Sequence, residues 1–280
     1  MKLCSRLVFT ATLLCASSAF ASTITDCSKK SLAQDLAKAG PGSTVVFTGV
    51  CTGPILISTD NLTLAGTGSA IIDGGGKDVV TVAGAHGVTL SNLEVRNGAN
   101  GIVIANGGSA TINAVLSDQN SANGIALRTG ASAVLGNVSA TQNTASGLDL
   151  QNGSSVLISG TFSATVNTGS GVSSSASSLT IDSGASLTAS TNTGNGVLLQ
   201  AGSTLVVANQ GTLAANSNSN RGLSVDDSVA VVQSATLSGN SRDIAMTFAT
   251  RGDFTTTTFS TYTCDATVLV RGTSGMSCPH

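Results

Sequence analysis

The chain has 280 residues and is 9% charged, 3% aromatic and 41% hydrophobic, with 33 Gly, no Trp and a formal net charge of −2. So few basic residues exclude the electrostatic footprint of a nucleic-acid binder. Its many aliphatic residues exclude a disordered chain, which lacks the apolar surface to order itself.

Residues 1–21 read as a secretory signal peptide. Lys2 and Arg6 make a positive start, Leu7 to Leu14 a short apolar core, and Ala19-Phe20-Ala21 a cleavage site before Ser22. The core is far shorter than the ~20 residues of a membrane span. Leu14 before Cys15 is too large for a lipoprotein site. The reading is therefore a secreted or periplasmic protein, not a transmembrane one. Processing would leave 259 residues, with 10 basic and 14 acidic side chains. It would also leave Cys27, Cys51, Cys264 and Cys278, which allow three pairings.

The next segment, residues 22–52, reads as a cap with one helix over residues 31–39. Ser31 and Gln34 form a capping box, while Leu32, Leu36 and Ala39 share a face. Lys38 sits in the last turn, and Gly40 and Pro41 stop the helix. Short strands follow at Val45–Phe47, Ile55–Ile57, Leu62–Leu64 and Val79–Val82.

From Asn97 onward, Asn, three residues, Gly and an aliphatic residue recur six times. The copies start at Asn97, Asn120, Asn143, Asn167, Asn192 and Asn218, in steps of 23, 23, 24, 25 and 26 residues. Such a period marks a solenoid. After each Gly the aliphatics alternate, as in Ile125 and Leu127 or Leu148 and Leu150. Period two means strand. A second alternation follows, as in Val156 and Ile158. The recurring Asn is expected at a left-handed turn position, stacked into an amide ladder. Asp78 and Asp243 are expected in the column of the repeat glycines.

These repeats and the N-terminal cap resemble the right-handed parallel β-helix of the pectate-lyase-like superfamily. The expected fold is all-β, a right-handed parallel β-helix of about nine coils over residues 53–263, with a capping helix and a disulfide-closed end at 264–280. Nine coils at ~4.8 Å keep the two chain ends apart. Cys27 is therefore expected to pair with Cys51, and Cys264 with Cys278. A metal site is the rival reading for these cysteines, but no Cys-x-x-Cys or nearby His supports it.

With Ile125 and Leu148 inward, Arg128, Asp149, Gln151 and Asp226 face outward. Arg128, Asp149 and Gln151 form the best polar cluster, and all four are candidate ligand-binding residues. The family's catalytic motifs are missing. Asn143-Thr144, Asn167-Thr168 and Asn192-Thr193 are never followed by Asp, the only Asp pair is Asp226-Asp227, and no Lys follows Lys77. Calcium is possible but unsupported, because it needs 6–8 oxygens and Asp149 stands alone. Arg251-Gly252-Asp253 spells an integrin-binding tripeptide that a tight turn explains equally well. The expected function is non-catalytic: a polar face presented to a polysaccharide or a cell-surface partner. The alternative is a divergent polysaccharide lyase, hydrolase or epimerase.

Overall fold

The computed structural model describes residues 23–272 and 275–278. The signal-peptide reading of residues 1–21 falls outside them.

Each repeat folds into one coil of three strands, for example Ile125–Leu127, Ser132–Leu135 and Val138–Thr141. Every strand pairs in parallel with its counterpart one coil away. Leu148 lies beside Ile125 and Val172, Val156 beside Ala133 and Leu179, and Phe162 beside Val138 and Leu187. The first strands stack into a ten-stranded sheet, and the other two strands of each coil form a sixteen-stranded sheet. Among the described residues, one strand per coil in the smaller sheet gives about ten turns, close to the expected nine. The coils at Ile55–Ile57 and Tyr262–Cys264 carry a strand without carrying the Asn-x-x-x-Gly pattern.

Alternate side chains of the coil strands point inward and form one continuous apolar core from Leu32 to Cys278, although the last two strands, Tyr262–Cys264 and Leu269–Gly272, have no fully buried residue. The capping helix is shorter than expected, Leu32–Leu36, and the Ser31 side chain makes no capping bond. What holds it is burial: Leu32 and Leu36, four residues apart, lie on the face turned to the core. Cys27 pairs with Cys51 and Cys264 with Cys278, at Cα separations of 5.0 and 5.6 Å.

The coils are tied together by a buried row of asparagines. The backbone N–H and Nδ2 of Asn120 both donate to Oδ1 of Asn143, at 3.1 and 3.0 Å. Asn143 does the same to Asn167, Asn167 to Asn192, Asn192 to Asn218 and Asn218 to Asn240. The second Nδ2 hydrogen of Asn143 reaches the Ser117 carbonyl at 3.2 Å. Its amide is thus fully used, with two bonds accepted and two donated. The row ends on Asp243, which accepts from Asn240 Nδ2 at 3.0 Å.

A second row runs with the opposite polarity. Ser146 N–H donates to Asn123, Asn123 to Asn100, and Asn100 to Asp78, the last at 3.0 and 2.8 Å. Asp78 therefore aligns with Asn100, and Val79 takes the glycine column beside Gly101. Asp243 does lie in the glycine column, between Arg242 and Ile244, whose partners are Arg221 and Leu223.

Two expectations about the asparagines change. Asn97 is not in the row; the N–H of Gly98 donates to Asn120 instead, and Asn97 Nδ2 goes to Asp73. The left-handed residue is the one before each ladder Asn. Gln119, Gln142, Val166, Thr191 and Ser217 have φ between 54 and 59°. That residue turns the chain so that the following Asn points inward. The conserved spacing to Gly has a steric cause: a Cβ on Gly124 would sit 2.7 Å from the Gly147 carbonyl oxygen and 2.8 Å from Asn143 Nδ2. The glycine leaves room for the next coil's amide.

Replacing Asn143 by Leu leaves the Asn120 N–H and one Asn120 Nδ2 hydrogen without their acceptor in the interior. At about 1–3 kcal/mol per buried unsatisfied group, the denaturant midpoint should fall by an amount equivalent to about 3 kcal/mol or more. An unchanged midpoint would remove the ladder as a source of stability. Val166 is a β-branched residue in the left-handed region and 53% exposed. Val166→Asn should therefore raise the melting temperature, by a gain of about 1 kcal/mol; a lower melting temperature would contradict the strain argument.

Candidate functional site

On the outer face of the ten-stranded sheet, Asp149 lies in register with Ala126 and Ser173, and Gln151 with Ser175. The structure brings three of the four predicted residues together. Arg128 Nη2 is 3.3 Å from Asp149 Oδ2, Arg128 Nη1 donates to Gln151 Oε1, and Gln151 Nε2 donates to Asp149 Oδ2 at 2.9 Å. Each of the three is thus engaged with the other two. Asp149 is 7% exposed beside the fully buried Ala126. Burial pushes its carboxyl above the usual range, against the pull of Arg128 and Gln151. Asp226 is apart: it accepts from Thr247 Oγ1 at 3.0 Å and stands four coils, or ~19 Å, from Arg128.

A second cluster was not found from the sequence. In Val88–Arg96 and Ser109–Asp118 the second and third strands of a coil run together through Asn92 and Ala114, whose φ values of 54 and 53° bend them into an elbow. Stacked elbows leave a groove of about 610 Å³ on the outside. One row of outward side chains in its lining crosses five coils: Ile71, Glu94, Leu116, Ser139 and Ser163. Beside it runs the row Asp73, Arg96, Asp118, Thr141 and Thr165. Arg96 Nη1 donates to Glu94 at 3.1 Å, and its Nε lies 3.7 Å from Asp73. Asp118, 9% exposed, carries a buried Oδ1 with no hydrogen-bond partner. Burial, then the Glu94 charge, push the Asp118 carboxyl up, while Arg96 pulls it down. The signal available in the sequence was the spacing: Asp73, Arg96 and Asp118 stand one repeat apart.

The remaining candidates resolve simply. Arg251-Gly252-Asp253 lies in a strand, not a turn, paired on both sides, with Arg251 and Asp253 4.0 Å apart on one face. Among the described residues, no three His, Cys, Asp or Glu side chains meet in a way that could hold a metal ion, and no helix is long and apolar enough to cross a membrane.

A family model described as a right handed beta helix region matches residues 78–241, more than half of the chain. The protein belongs to this family of right-handed parallel β-helices. Among solved structures it is similar to pectate lyase Pel9A, with a TM-score of 0.58 and 13% identity, over 94% of this chain and 80% of that one. It is also similar to the A-module of mannuronan C-5 epimerase AlgE4 from Azotobacter vinelandii, with a TM-score of 0.55 and 15% identity, over 94% of this chain and 95% of that one. At these identities the likeness is one of fold. No curated protein sequence matches the chain.

The Arg128 cluster carries a pH signature. Asp149 has a raised folded pKa, so its contribution to stability is present below the unfolded value and lost as pH rises through the folded one. Arg128→Ala removes the cation that limits this loss. Its denaturant midpoint should fall more steeply than that of the parent as pH rises from about 4, the ordinary carboxylate range. Parallel profiles would show that Arg128 does not bear on the Asp149 charge.

Proposed function

We propose that the protein is a secreted or periplasmic β-helix that binds a polysaccharide chain along the elbow groove without cleaving it. The observation that carries this reading is the groove itself. It spans five coils and is lined by hydroxyl, amide and aliphatic groups with one carboxylate, Glu94, which suit an extended chain rich in hydroxyls. Two closed disulfides support an oxidising compartment, in keeping with the signal-peptide reading of residues 1–21. The neighbours named as a pectate lyase and a mannuronan epimerase support a polysaccharide as ligand. Arg128 and Gln151, which engage each other and Asp149, offer a secondary contact on the adjoining face, and Asp226 lies too far away to share it.

One observation favours the enzymatic alternative: Asp149, a carboxyl whose pKa burial pushes up, lies against Arg128. Such a pair can act in proton transfer.

Calorimetric titration of the mature protein with oligosaccharides tests the groove. Ser139→Trp, which fills the fourth position of the row, should weaken binding about tenfold or more while melting stays unchanged. Binding that survives this block would move the site elsewhere. Polygalacturonate and mannuronan should show no turnover, with or without calcium. Product release that Arg128→Ala abolishes would establish the enzyme reading and place its chemistry on the ten-stranded sheet.

A further inference from the structure

We infer that the ligand of the elbow groove is an uncharged, fully extended glycan of the cellulose type, laid along the solenoid axis with one sugar per coil. This rests on the groove being the binding site and adds the charge and shape of its ligand.

The charge follows from the lining. It contains no Lys, Arg or His, and Glu94 is its one ionisable side chain. The Glu94 carboxylate accepts from Arg96 Nη1 at 3.1 Å, so the cation beside it is already engaged. A chain of uronates needs guanidinium or ammonium partners for its carboxylates. In this groove it would meet a carboxylate and be repelled. The remaining polar groups suit neutral hydroxyls. Among the described residues, the side chains of Asn92, Ser139 and Ser163 make no hydrogen bond within the chain. Asn137 uses only its Oδ1, which accepts from Thr161 Oγ1 at 3.1 Å. Amides and hydroxyls both donate and accept, as each hydroxyl of a neutral sugar does.

The shape follows from the register. Ile71, Glu94, Leu116, Ser139 and Ser163 are partners on five successive coils, and neighbouring coils stand ~4.8 Å apart. That step is close to the advance of one hexose in a fully extended chain, so successive sugars keep pace with successive coils. A glucan of the amylose type curls, and its sugars leave the row within a few units. Polar side chains flank the groove's middle coil, Asn92 on one side and Asn137 and Ser139 on the other. The middle coil itself offers only Ala114, Val115 and Leu116. The central sugar therefore rests its C–H groups on Leu116, while hydrogen bonds hold its neighbours.

The test is calorimetric titration of the mature protein with the hexasaccharides of cellulose, amylose and pectate. The cellulose oligomer should bind about tenfold tighter than either of the others. Its lead over the pectate oligomer should narrow in Glu94→Gln and as salt rises. A length series of cellulose oligomers should gain affinity up to about five sugars, one for each coil, and then level off. The oligomer comparison needs no variant, so it stands if Glu94→Gln fails to fold. Pectate binding as tight as that of the neutral chain, or a lead untouched by Glu94→Gln, overturns the charge assignment. Equal binding of the amylose oligomer, or a plateau at two or three sugars, overturns the extended chain with one sugar per coil. In each of these cases, loss of binding in Ser139→Trp keeps the groove reading. Binding of none of the three by folded protein, or binding unmoved by Ser139→Trp, removes the groove reading and the inference with it.

Discussion

The structure depends on one repeated hydrogen-bond arrangement, an asparagine amide passed from coil to coil inside the solenoid. A buried amide must find both its donors and its acceptor within the protein. From Asn143 on, each Oδ1 takes two hydrogens from the coil before, and each Nδ2 gives two away. That closed accounting works only if the coils stack in strict register. The glycine four residues on is the steric complement, since any Cβ there would meet the amide of the next coil. The two rows run with opposite polarity, and each delivers its last donors to a carboxylate, Asp243 at one end and Asp78 at the other. A carboxylate is an acceptor only, so it can end a row that another Asn would have to continue. At Asp243 burial pushes the carboxyl up, but donors from Ser260, Asn240 and Thr261 outweigh it and hold the group below the usual range.

This interior leaves little sequence free for chemistry. Inward positions fill the core, turn positions serve the ladders, and only the outward strand positions can carry a site. Because the coils are in register, charges one repeat apart in sequence become neighbours in space. The two resulting clusters differ in kind. On the ten-stranded sheet, Arg128, Asp149 and Gln151 satisfy one another and form a closed unit. At the elbow, Arg96 engages Glu94, while the Arg96 Nε and the Asp118 Oδ1 are both buried without a hydrogen-bond partner.

With one Tyr and no Trp in the chain, and no aromatic residue in the groove lining, stacking on sugar rings plays no part there. Recognition in the groove must rest on hydroxyl and amide hydrogen bonds and on the charge at its wall. Such contacts discriminate by polarity and charge more than by ring shape.

The amino-acid sequence by itself determined the coil, its strands and the pairing of its cysteines. Period-two aliphatics decide which side chains face inward, and a steady repeat forces identical coils to stack. It also placed Arg128, Asp149 and Gln151 on one outer face, because all three lie in the most regular part of the array. The tertiary structure decided what a one-residue offset changes. Asn97 stands at the right spacing yet points outward, since Gly98 fills its place in the row, and a shift by one residue reverses the face of a side chain. The elbow at Asn92 and Ala114 is likewise a product of stacking. No local signal marks Ala114 for a left-handed conformation, which neighbouring coils impose through their shared register. Only that bend opens the groove and sets Glu94 beside Arg96 and Asp118, so the site was legible as spacing but not as a place.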